Sequence, residues 1–173
     1  MAIRDIVLMG DPVLRQEADD VTVFDAALRA LVRDMYETMY HADGIGLAAP
    51  QIGVPKRVLV VALRRPDEDG DEAPKVALVN PTIVWSSDET YKASEGCLSI
   101  PGLEEVVERP FAIRVEARDV HGTAVVVEAE DLFGRALQHE IDHLDGVLFL
   151  DRVSALKRKM LLKKWKKLES ERA

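Results

Sequence analysis

Apolar residues recur at helical spacing between Phe24 and Gly44. Leu28, Leu31, Met35 and Met39 share one face, and Asp43–Gly44 supplies a stop. The spacing predicts an amphipathic helix over residues 25–41. "GIGLAAPQIGVP" (44–55) follows, and its three glycines and two prolines read as an irregular loop. "RVLVVAL" (57–63) is a β-branched strand, and "RRPDEDGDEAP" (64–74) an exposed acidic loop. "KVALVNP" and "TIVWSS" read as strand segments broken at Pro81.

Alternation is clearest at 111–120. Phe111, Ile113, Val115 and Ala117 point one way, Arg114, Glu116 and Arg118 the other. His121–Gly122 turns the chain, and 123–130 returns as a hairpin partner. Asp131 is positioned to cap a helix over 131–144. Leu132, Phe133, Ala136, Leu137, Ile141 and Leu144 surround that helix with apolar groups, so it is expected to be buried on most sides. "GVLFL" (146–150) leaves it. Ser154 caps a final helix to about residue 170, with Leu156, Met160, Leu161, Trp165 and Leu168 as its apolar set. Strands gathered around one buried helix, rather than alternating with helices, point to an α+β fold.

The 173 residues carry no internal repeat or low-complexity linker and suit a single domain, 1–173. Apolar residues make up 47% and charged residues 31%, as in a soluble globular chain. A net charge of −8 argues against DNA or broad nucleic-acid coating. No apolar run approaches the ~18 residues of a membrane span, and the N-terminus lacks a secretory signal. One cysteine excludes an internal disulfide and fits a cytoplasmic protein. The charge is uneven. Residues 151–173 hold nine Lys or Arg against three Asp or Glu, a net +6, so the other 150 residues carry −14.

"LQHEIDHLDG" (137–146) carries the chemistry. Residues four apart share a helix face, so His139 and His143 can grip one metal ion, with Glu140 beside them to carry protons. A catalytic site of this type needs a third protein ligand and one open position. The metalloprotease pattern H-E-x-x-H-x-x-G-x-x-H is followed as far as Gly146, but Phe149 stands where its third His should be. The only later glutamates, Glu169 and Glu171, lie at the polar end of the chain. Asp145 and Asp151 remain open as ligands, although an upstream residue fits better. Cys97, the sole thiol, sits upstream in "EGCLSIPG" (95–102).

Three segments together resemble peptide deformylases: "GIGLAAPQIG" (44–53), "EGCLSIPG" (95–102) and "QHEIDHLDG" (138–146). Their order and separations match that family over essentially the whole chain. The resemblance implies antiparallel sheets around a central buried motif helix, with a basic helix at the C-terminus (151–173). It implies a metal-dependent hydrolase that removes the formyl group from N-formylmethionyl nascent peptides and releases formate.

By the same resemblance Cys97, His139 and His143 are the metal ligands, Glu140 the proton carrier, and Gln51 and the Leu98 N–H the oxyanion donors. The substrate is expected to lie as a strand along Ile45 and Gly46, with Leu132 and the Arg135 stem as walls of the methionine pocket. One divalent cation is implied, Fe²⁺, with Zn²⁺ or Ni²⁺ possible. The chain is expected to be a monomer whose basic helix contacts the ribosome. Glu95 and Arg109 are candidates for an ion pair supporting the Cys97 segment. Relatives often carry a basic residue shortly after "SIPG", where this chain has Glu104 and Glu105. Two other readings compete: a zinc endopeptidase, and a non-catalytic ribosome-binding module with a structural metal. The absent third His disfavours the first, and the lack of a fourth ligand disfavours the second.

Overall fold

The computed structural model describes residues 2–64 and 73–172. Most of the acidic loop expected at 64–74 therefore lies outside the described residues. Helix α1 spans Ala26–His41, as its spacing predicts, and Asp25 caps it by accepting from the Leu28 N–H at 3.1 Å. Its buried face carries Leu28, Leu31, Val32, Met35 and Met39.

Among the described residues seven strands follow: β1 (Gly46–Ala48), β2 (Val58–Ala62), β3 (Lys75–Ser86), β4 (Thr90–Gly96), β5 (Glu104–Pro110), β6 (Ala112–Arg118) and β7 (Ala124–Glu130). They form a five-stranded sheet in the order β1-β2-β3-β6-β7 and a separate β4–β5 hairpin. Every pairing is antiparallel. Helix α2 spans Asp131–Leu144, and helix α3 spans Ala155–Arg172. Among the described residues, three α-helices with antiparallel sheets make the fold α+β.

Strand β2 shows how the layers meet. Its five residues are all buried because side chains leave it in both directions. Leu59 and Val61 pack with Leu137, Ile141 and Leu144 of α2, whereas Val58, Val60 and Ala62 pack with α1. A third cluster joins Ile100, Leu103 and Val107 to Phe149, Leu161 and Trp165, tying α3 to the β4–β5 region. Among the described residues, no helix is long and apolar enough to cross a membrane.

Several local expectations need correction. Residues 44–55 are not wholly irregular: Gly46–Ala48 pair with β2, and Ala49–Ile52 form a 3-10 turn. Three strand residues are too few for alternation to register. β3 runs through Pro81 instead of breaking. A register shift between Val79 and Thr82 absorbs the proline, and Asn80 beside it (φ 52°) accepts from the Val21 N–H and donates to its carbonyl. Asp131 does not cap α2. Glu130 holds the cap position without a side-chain bond, and Asp131 has φ 54° with its N–H donating to the Phe111 carbonyl. Leu156 and Met160 leave the expected apolar set of α3, being 70% and 63% exposed. The stripe that meets the core is Leu161, Leu162, Trp165 and Leu168.

Candidate metal centre

Strand β4 ends at Gly96 and hands the chain to a turn in which the Ile100 N–H donates to the Cys97 carbonyl. That turn faces α2, where His139 and His143 sit one helical turn apart with ring centroids separated by 5.0 Å. One ligand atom each from Cys97, His139 and His143 lies within 4.8 Å of the others. The Cys97 sulfur is 3.3 Å from His143 Nε2. Ligands about 2.0–2.3 Å from a tetrahedral cation stand ~3.5 Å apart, so the trio needs little rearrangement to close on one ion. The donor set suits it too, since a thiolate with two imidazoles is a good match for Zn²⁺ or Fe²⁺. Nδ1 of His139 lies 3.0 Å from Glu95 Oε1. A proton held there leaves the Nε2 lone pair free to ligate.

Glu140 is 4% exposed, and its Oε1 has no hydrogen-bond partner among the described residues. Burial pushes its carboxyl up to about 7, against the pull of a charged His139. Its other oxygen faces β1, where only a glycine fits. A Cβ on Gly46 would lie 2.5 Å from Glu140 Oε2 and 3.1 Å from its Cγ. Gly46→Ala is therefore expected to displace the carboxylate and lower kcat by ~10²-fold with metal content unchanged. Formate-release kinetics beside metal analysis check this.

Gln51 is also buried. Its Oε1 accepts from the Ala48 N–H at 2.9 Å, and its amide nitrogen donates to Ser99 Oγ at 3.1 Å and lies 3.5 Å from the Cys97 sulfur. The neighbouring Leu98 N–H donates to no group among the described residues. These are two polar groups beside the trio, one of them an uncommitted donor.

A cleft of about 620 Å³ opens over Cys97, His139 and Glu140. Gly44, Ile45 and Gly46 line it, as do residues 94–98. Among the described residues β1 pairs only with β2 and β4 only with β5, so each presents an unpaired edge. Ile45 and Leu132 line the cleft while 39% and 49% exposed. Arg135 lines it as well, but its guanidinium turns away, bonding to Glu95, the Val107 carbonyl and the Tyr91 carbonyl.

Glu95 is the hub of a buried ion network. Arg109 donates to both of its oxygens (2.6 and 2.9 Å) and to Asp142 at 2.9 Å. The expected Glu95–Arg109 pair thus exists, but Arg135 and Asp142 join it. The sequence offered Arg135 only as a pocket wall, and Asp142 only as a charge inside an otherwise buried helix. Burial raises the Glu95 carboxyl, yet hydrogen bonds from His139 and Arg109 outweigh it and hold the group at about 2. A depressed carboxyl stabilises the fold above its ordinary value of 4.5, and that stability is lost as pH falls toward 2. The difference amounts to ~3 kcal/mol. Denaturant melts are expected to weaken by about that much between pH 5 and pH 2. Glu95→Gln is expected to flatten this limb and to cost ~3–5 kcal/mol at pH 7, because it strands two buried guanidinium groups.

A family profile described as polypeptide deformylase matches residues 3–159 of this chain. A peptide deformylase from Brucella suis is 50% identical over 173 residues, covering 100% of this chain and 97% of the relative. One from Phenylobacterium zucineum is 50% identical over 167 residues, covering 96% and 97%. Among solved structures, a peptide deformylase from Legionella pneumophila aligns with TM-score 0.87 at 43% identity, over 99% of this chain and 98% of that one. One from Ehrlichia chaffeensis in complex with actinonin aligns with TM-score 0.89 at 40% identity, covering 98% and 99%.

Proposed function

This chain belongs to the polypeptide deformylase family, and from that premise we propose how its residues remove the formyl group from the N-terminal methionine of nascent proteins. The observation that carries the reading is the convergence of Cys97 with His139 and His143, where an open cleft reaches Cys97, His139 and the buried Glu140. The three residues hold one divalent cation, Fe²⁺ in the cell, with Zn²⁺ or Ni²⁺ able to replace it. When bound, the cation makes water acidic enough to attack near neutral pH and polarises the formyl oxygen. In this reading 139–143 acts as an H-E-x-x-H motif on a central helix.

The formylated peptide lies between the free edges of β1 and β4, held by main-chain hydrogen bonds along Ile45 and Gly46. That mode reads little of the sequence, which suits a substrate class as broad as nascent chains. Its methionine side chain enters the apolar wall formed by Ile45, Leu132 and the Arg135 stem. Glu140 accepts a proton from the attacking water. The Gln51 amide and the Leu98 N–H donate to the oxygen on which negative charge develops, at ~3–4 kcal/mol per donor. Glu140 then delivers its proton to the departing amine, the C–N bond breaks, and formate leaves.

Residues 1–173 work as one domain, in the cytoplasm and as a monomer. The basic segment 151–173, mostly helix α3, contacts the ribosome through its cationic face. Removing residues 154–173 is expected to abolish salt-sensitive co-sedimentation with ribosomes; unchanged pelleting discards that contact. For the reaction itself, a formyl-methionyl tripeptide is expected to yield stoichiometric formate and free amine with its internal bonds intact. Internal cleavage would favour the zinc endopeptidase reading instead.

A further inference from the structure

Helix α3 reaches the substrate cleft. Lys164 lines it together with Gly102, Leu103 and Glu104. The helix is fixed there on both sides of Lys164. Leu161 and Trp165 are buried against Ile100 and Leu103. Leu168 covers Gly102, where an added Cβ would lie 3.2 Å from Leu168 Cδ1, and Arg172 donates to the Pro101 carbonyl at 3.2 Å. Lys164 has no ion-pair partner among the described residues. By contrast, neighbouring Lys157 is committed to Glu105 at 3.4 Å.

The other cation lining the cleft, Arg135, is ion-paired with Glu95. Besides that pair, Lys164 and Glu104 bring charge to the lining. A formylated substrate brings no charge at its blocked amine, so charge enters only with residues further along the peptide. We propose that Lys164 is a specificity-determining residue of the deformylation reaction, favouring substrates with a carboxylate on the third or fourth residue. Glu104 on the same wall works in the opposite sense. This proposal rests on the cleft being the substrate site.

A unit charge pair at ~4 Å in a solvated cleft contributes on the order of 1 kcal/mol, a factor of about five. The test uses amide-capped formyl-methionyl tetrapeptides with Glu, Gln or Lys at the third or at the fourth residue. The readout is the ratio of kcat/KM for the Glu peptide to that for the Gln peptide at low salt. Lys164→Gln is expected to lower this ratio about threefold to fivefold at one of the two positions, Lys164→Glu to lower it further, and Glu104→Gln to raise it. Salt near 1 M is expected to erase the differences, since screening there reaches ~3 Å. A ratio unchanged by both Lys164 variants at both positions overturns the proposal. So does a Lys164→Gln variant that slows all three peptides equally, since that marks a merely structural wall. Failure of the deformylase reading would look different, because no peptide of the set would then yield formate.

Discussion

Cys97→Ala is expected to bind its divalent cation more than ~10²-fold more weakly and to release formate more than ~10³-fold more slowly. Losing a group that only orients a ligand costs 10–100-fold in metal affinity, so losing a ligand costs more. Charge stabilisation by the cation amounts to several kcal/mol, and each ~1.4 kcal/mol is tenfold in rate. The fold should survive the change. Cys97 lies at the margin of the Ile100–Phe149 cluster and is only partly buried. Cys97→Ser is expected to behave similarly, because a serine hydroxyl stays protonated near neutral pH and is a poor ligand. Equilibrium dialysis against a chelator series, with unfolding curves on the same samples, separates lost metal from lost structure.

Glu140→Gln is expected to keep the cation and to lose about 10²–10⁴-fold in kcat. The amide fills the same buried space but cannot accept the proton of the attacking water. The pH profile provides a second check. The carboxyl must be ionised to act as base, so kcat/KM should fall as pH drops through its value. That value is about 7 in the cation-free site, and lower once positive charge sits beside it. The Gln variant should lose this acid limb altogether. A variant that stays active, or whose acid limb persists unchanged, would move the proton-transfer role elsewhere.

Some of this architecture could be read from the chain and some could not, for physical reasons. α1 and the β6–β7 hairpin were legible because one face of each is apolar and the other polar, at the period of its own element. The β4–β5 hairpin was not. Two of its inward positions are Glu95 and Arg109, so buried charge occupied the slots where alternation calls for apolar residues. The Pro81 bulge was hidden because Asn80 contributes long-range bonds to Val21 that no local rule anticipates. At the centre, His139, Glu140 and His143 stood out by spacing. Cys97 lies 42 positions upstream of His139, and only the family resemblance joined it to them. The Arg135 and Asp142 arms of the Glu95 network escaped notice because charges on a helix are ordinarily solvated. Lys164 escaped for the same reason, on a helix whose other lysines largely face water.

The most direct test of the account is metal content and formate release measured on one anaerobically purified sample through a chelator titration. The account expects about one equivalent of divalent cation per chain, with activity falling in proportion as that cation is withdrawn and returning when Fe²⁺ is restored. Full formate release from protein stripped of metal, or a cation still tightly held after Cys97→Ala, would contradict it.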